Sequence, residues 1–141
     1  MDYICRYRDT IFYVYKNTNK HIVVYEWIDD KIAMHWYDSE KRDLKRVKLT
    51  LPERKLAYGV KLSKDKKTLR INCAPKKEMW IEGKRISTEL HGERCFIDRV
   101  YTHIEGKTRM GFPRVSYIII YGESVLTGGK VQERIEASNR D

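Results

Sequence analysis

The chain has 141 residues, 41% hydrophobic and 35% charged, with three tryptophans, ten tyrosines and three phenylalanines. That is enough chain for one domain with its own core and too apolar a composition for disorder. The formal charge of +9 is unevenly placed: Lys and Arg stand against Asp and Glu at 5 to 7 over residues 1–40, 16 to 5 over 41–85 and 8 to 8 over 86–141, so the middle third carries more than the whole excess.

The apolar period is close to two, and short runs are separated by Asn, Asp, Gly and Lys, which is the pattern of antiparallel strands and tight turns. Residues 3–8 and 11–16 read as strands around Asp9-Thr10. The polar break Asn17-Thr18-Asn19-Lys20 leads into a strand from His21 to Ile28, and Asp29-Asp30 turns it into Lys31–Tyr37, which completes a four-strand, aromatic-rich meander over residues 1–40. A charged loop from Asp38 to Leu44 precedes Arg46-Val47-Lys48-Leu49-Thr50-Leu51, where Val47, Leu49 and Leu51 share one face and Arg46 and Lys48 the other until Pro52 ends the strand.

Two basic hairpins follow. Val60–Leu62 crosses Ser63–Lys67 into Leu69–Ile71, and Met79–Ile81 turns at Glu82-Gly83 into Lys84–Ile86. Residues 86–141 are expected to hold a strand from Arg94 to Ile104, a Glu105-Gly106 turn, a strand from Arg114 to Tyr121, and a short helical tail from Lys130 to Ser138 suggested by Val131 and Ile135 four apart. The repeated Ile-Glu-Gly-Lys at 81–84 and 104–107 reads as two hairpin tips. The fold expectation is a single all-β domain over 1–141, mainly antiparallel, closing as a barrel or a two-sheet sandwich with at most one or two short helices.

No secretory leader is read in Met1–Arg6, and the longest apolar run, Tyr117–Tyr121, is far too short to cross a bilayer, so a cytoplasmic protein without membrane contact is expected. Cys5, Cys73 and Cys95 are odd in number and far apart, which fits neither a disulfide framework nor a zinc site. They read as reduced thiols, and no metal or cofactor is implied.

The basic segment supplies the first candidate site. Arg46, Lys48, Lys61 and Arg70 fall on solvent-facing strand positions, and Lys64, Lys66, Lys67, Lys76, Lys77, Lys84 and Arg85 crowd the connecting turns. Such a surface suits a phosphate backbone, since each neutralised phosphate releases a condensed counterion; equally, lysines protect strand edges from aggregation. The second candidate is the aromatic load of the first forty residues. Tyr13, Tyr15, Tyr25, Trp27, Trp36 and Tyr37 cannot all face one core when neighbours alternate sides, so exposed rings are expected to be available to a protein partner.

Catalytic patterns are sparse. Glu53-Arg54-Lys55, Glu82-Gly83-Lys84 and Glu105-Gly106-Lys107 share a Glu-x-Lys spacing that resembles the second half of the ion-binding motif of restriction-type nucleases, a resemblance of three residues that implies a divalent ion on the Glu. The helices such nucleases need are not predicted. His91, Glu93 and Arg94 with His103, Lys107 and Arg109 gather the residue types of a metal-free ribonuclease without showing that they converge. The sequence therefore points to binding rather than catalysis. Its basic surface would engage RNA, DNA or the nucleic-acid groove of a nucleoprotein. The rival reading is a protein-binding inhibitor or adaptor, a viral or mobile-element accessory that blocks a host nucleic-acid machine, and exposed edges would permit a homodimer.

Overall fold

An apolar period close to two gives most segments one face to bury, and in the computed structural model this pattern is realised almost entirely as strands. The structure describes residues 10–18, 21–29, 31–38, 43–50, 58–72 and 74–136. In chain order the strands are β1 (Thr10–Lys16), β2 (His21–Ile28), β3 (Lys31–Asp38), β4 (Asp43–Lys48), β5 (Val60–Leu62), β6 (Thr68–Ile71), β7 (Ala74–Glu82), β8 (Arg85–Leu90), β9 (Glu93–Lys107), β10 (Pro113–Ser124) and β11 (Lys130–Glu136). All belong to one mixed sheet curled into a half-barrel. The described residues contain no helix long and apolar enough to cross a membrane.

The sheet forks at β9. Hydrogen bonding runs β4-β3-β2-β1-β9-β8-β7-β6-β5, while β10 pairs with β9 and β11 with β10. Because β10 occupies one edge of β9 from Cys95 to Lys107, the other edge must serve two strands in succession. Phe96 and the residues before it pair antiparallel with β8, and Arg99 to Thr102 pair parallel with Tyr13 to Lys16 of β1. The handover falls on a bulge: Tyr121 and Gly122 oppose Arg99 and Ile97, which leaves Asp98 as an extra residue. The bulge also shifts the alternation. Cys95 and Ile97 are buried before it, and Val100, Thr102 and Ile104 after it. Beyond Lys16 the side chain of Asn17 prolongs the β1 ladder, accepting from the Ile104 N–H at 2.7 Å and donating to the Ile104 carbonyl at 3.1 Å.

The concave face holds the core, including Phe12, Val14, Tyr25, Leu69, Met79, Ile86, Val100, Ile118 and Ile120. Tyr25 stacks on Phe12 at 4.5 Å between centroids and donates its hydroxyl to the Tyr58 carbonyl at 2.6 Å. A smaller buried cluster of Tyr13, Ile22 and Val24 lies on the opposite face of β1 and β2.

The all-β expectation holds, and the closure is a single curled sheet rather than two stacked ones. Of the described ladders only β1 with β9 is parallel. Four local expectations are corrected. Residues from Asp43 already belong to β4, so the charged loop is shorter than read. The β7–β8 turn is centred on Gly83-Lys84, because Glu82 and Arg85 pair across it. Glu105-Gly106 is no turn: β9 runs on to Lys107, and Gly106, at φ +66°, provides the left-handed residue of a bulge between Val115 and Pro113. Lys130–Glu136 is a strand, since Val131 and Ile135 share a face at period two as well as near period 3.6. The strand read at residues 3–8, the Glu53-Arg54-Lys55 motif, Cys5 and Cys73 lie outside the described residues, whereas Cys95 is a buried free thiol whose pKa is pushed up by burial and by Glu93.

The curl is tied at its open end by Glu133 of β11. Its carboxylate accepts the His91 N–H at 2.6 Å and the Lys77 ammonium at 3.2 Å, joining β11 to β7 and to the β8–β9 turn. Burial raises the Glu133 pKa, but the His91 N–H and Lys77 outweigh it and hold the group below the ordinary value of 4.5. A depressed carboxylate stabilises the fold above its unfolded pKa, and that contribution is lost as pH falls through the folded one. Glu133→Gln should therefore cost about 1–2 kcal/mol at pH 7, with the gap to wild type closing as pH falls below the ordinary carboxylate value of 4.5. Thermal melts of both proteins at pH 7, 5 and 3.5 measure this, and a gap independent of pH would show that the carboxylate charge does not matter.

Candidate nucleic-acid interface

The β5–β6 and β7–β8 hairpins are neighbours, and their tips end at the same level. The Lys67 carbonyl accepts from Ile81 N–H at 2.9 Å and Thr68 lies opposite Trp80, which brings Ser63–Lys67 alongside Gly83-Lys84. Exposed Lys64, Lys66, Lys67, Lys84 and Arg85 therefore gather within about 15 Å, the width of four strands. Two carboxylates stand among them. Asp65 is engaged by its own turn, accepting from Ser63 Oγ at 2.6 Å and Lys67 N–H at 3.0 Å, and the Ser63 hydroxyl is the main reason its pKa is lowered. Glu82 is bound by the Ser87 hydroxyl and, at 3.2 Å, by Arg94; Ser87 above all holds its pKa down. Five cations within roughly one to two Debye lengths reinforce each other's field, while the anions between them are already committed.

Below the tips the convex face of the sheet is ordered by guanidinium groups lying over rings. Arg94 sits 4.4 Å from the Trp80 ring centre, Arg85 4.0 Å from Phe96, Arg99 4.1 Å from Tyr121 and Arg134 3.7 Å from Tyr117. These rings are only part-buried. They succeed one another across the hydrogen-bonded ladders β7, β8, β9, β10 and β11, because Trp80, Ser87 and Phe96 form one cross-strand row and Arg99 with Tyr121 another. Tyr117 is held between Arg134 and His103, whose ring stacks on it at 4.7 Å and 11°.

The remaining basic candidates are dispersed. Lys61 and Arg70 are direct cross-strand partners on the convex face, with Arg70 bridged to Glu78 at 3.3 Å. Lys76 is exposed at the far end of β7, and Lys77 faces inward to Glu133. Arg46 and Lys48 lie on β4, at the opposite end of the strand order from β5, and the two strands are not directly paired.

The aromatic candidates divide by strand parity. Tyr13 and Tyr25 are buried on opposite faces of the sheet, Trp27 and Trp36 pack against the core, and Trp36 lies under the Lys16 ammonium at 3.9 Å. Tyr15 is part-buried and tilted against Tyr101 at 5.2 Å, and the side chain of Tyr37 lies outside the described set. His91 and His103 do not converge: the strand between them, Glu93 to His103, spans roughly 30 Å. His103 is fully engaged, with Nδ1 at 2.8 Å from the Tyr101 hydroxyl and Nε2 at 3.5 Å from Glu105. Among the described residues no three His, Cys, Asp or Glu side chains are arranged to hold a metal ion. Arg99 and Arg134 are not among the residues the sequence singles out, and Arg94 is singled out only beside His91 and Glu93, because all three fall in the electrically neutral last third and the bulge at Asp98 hides their common face from a period-two count.

A family model described as a domain of unknown function (DUF4833) matches residues 12–134. No curated protein and no solved structure matches the chain.

Proposed function

The chain belongs to the DUF4833 family, and for it we propose binding of a nucleic-acid polyanion through the cationic tips of the β5–β6 and β7–β8 hairpins. The observation that carries this reading is the meeting of Lys64, Lys66, Lys67, Lys84 and Arg85 at two adjacent tips whose carboxylates are internally engaged. Polar turns without such a cluster would give a solvated surface; here the charges are close enough to be neutralised together by one run of phosphates. The role proposed is binding, carried by the charge that the tips gather.

The test is fluorescence anisotropy of labelled single-stranded RNA and DNA across a salt series. Changing Lys64, Lys66, Lys67 and Lys84 together to Glu should weaken binding about a hundredfold or more at moderate salt and reduce the salt slope by several units, at about one unit per lost contact. Because all four side chains are exposed, thermal stability should stay within about 1 kcal/mol of wild type. Unchanged affinity in a folded variant would remove the tips from the site, and a wild type that binds neither strand near physiological salt would redirect the search to a protein partner.

A further inference from the structure

We propose that the arginine-capped rings of the convex face form a track that stacks unpaired bases, so that the ligand of the cationic tips is a single strand rather than a duplex. This inference rests on the polyanion reading above and adds the recognition of bases to it.

Three features support the track. Arg85 belongs to both surfaces: it is one of the tip cations, and it lies over Phe96 on the convex face, so a strand held by its phosphates at the tips passes directly onto the rings. Next, each guanidinium lies close over one ring, which orders a long side chain that would otherwise lose rotamer freedom on binding, and a stacked guanidinium still offers its other plane and its edge N–H groups. Unpaired bases are recognised by such aromatic and guanidinium planes, whereas the bases of a duplex are already stacked on each other. The third feature is the end of the track. His103, Tyr117 and Arg134 make a three-layer stack whose last member is exposed on β11, the final strand of the β9–β10–β11 ladder.

Four carboxylates of this face are held in ion pairs, and a fifth, Glu89, stands exposed on β8 opposite Arg94. Glu78 is bridged to Arg70, Glu82 to Arg94, and Asp98 and Glu123 both to Lys130 at 3.4 Å. Arg134 is itself paired with Glu136 at 3.0 Å through Nε.

The experiment compares three probes of equal length at one salt concentration: a single-stranded oligouridine, an abasic strand with the same phosphates, and a duplex. Anisotropy is read for wild type and for Arg94→Lys and Arg134→Lys, made separately, which keep the charge and remove the planar group. Wild type should prefer the base-bearing strand to the abasic one by about tenfold, the scale of a single stacked base. Each lysine variant should reduce that ratio and leave abasic affinity unchanged, and the ratio is meaningful for whichever variant retains the wild-type melt. Equal binding of abasic and base-bearing strands, or equal or tighter binding of the duplex, would overturn the track. If the tip reversal still abolished binding in that case, the polyanion reading would stand alone; no binding of any probe would remove both.

Discussion

Gly122→Val is expected to lower the melting temperature by about 10 °C. A Cβ at this position would stand 2.8 Å from the Phe96 carbonyl oxygen, 3.0 Å from Cys95 Cβ and 3.1 Å from Leu90 Cδ1. The nearest of these is main chain in β9, fixed by ladders on both edges, so it cannot rotate away as a flexible side chain would. Relief requires β10 to draw back from β9 beside the Asp98 bulge, where the long ladder and the fork meet. Overpacking against backbone costs about 3 kcal/mol, and in a domain of this size each kcal/mol moves the melting temperature by about 2–5 °C. Differential scanning calorimetry of the valine variant measures it. A shift below about 3 °C would mean that the two strands can separate locally at almost no cost.

Tyr25→Ala should be at least as damaging, about 3–5 kcal/mol. The ring is fully buried, stacked on Phe12, and its hydroxyl caps the Tyr58 carbonyl. Truncation removes apolar contact and leaves a buried carbonyl without that donor. Tyr25→Phe separates the two contributions: it keeps the stack and loses the hydrogen bond, for an expected cost of about 1–2 kcal/mol. Urea denaturation of both variants gives the comparison, and equal losses for Ala and Phe would show that the hydroxyl, not the ring, carries the stability of the β1–β2 core.

The strands were legible where apolar runs stood between polar turns. His21–Ile28 is recovered to the residue from such a run, buried on both faces over residues 22–26, and the Val60–Ile71 hairpin with its Ser63–Lys67 tip is recovered almost as closely because its buried face at period two leaves only one register. Reading failed where one residue changes the local count. Gly106 resembles a turn glycine in sequence, yet long pairing with β10 absorbs it as a bulge; Asp98 reverses which residues of β9 face outward, and nothing in its neighbours announces that. The cationic tips were visible as composition, but their adjacency depends on β6 pairing with β7. Lys61 and Arg70 are exposed cross-strand partners, whereas Arg46 and Lys48 lie on β4, which pairs with β3 and not with β5 or β6. The capped rings were hidden for a simpler reason: a guanidinium over a ring is a cross-strand relation, so Arg134 and Tyr117 are partners only once β10 and β11 are paired.

The parallel ladder between β1 and β9 imposes an order of events on the growing chain. Tyr13 pairs with Arg99 and Lys16 with Thr102, so the β1–β4 meander leaves the ribosome long before its place in the sheet is made. The hairpins from β5 to β11 can close on short loops as they emerge, whereas docking of the amino-terminal meander must close a loop of more than eighty residues. Until then Phe12, Tyr13, Val14 and Tyr15 lie on an unpaired strand edge rich in aromatic and branched residues, the kind of surface that recruits other strands. Docking of β1 is thus expected to be the slow step of refolding, and the interval before it is when nascent chains of this protein are most exposed to aggregation and most in need of a chaperone.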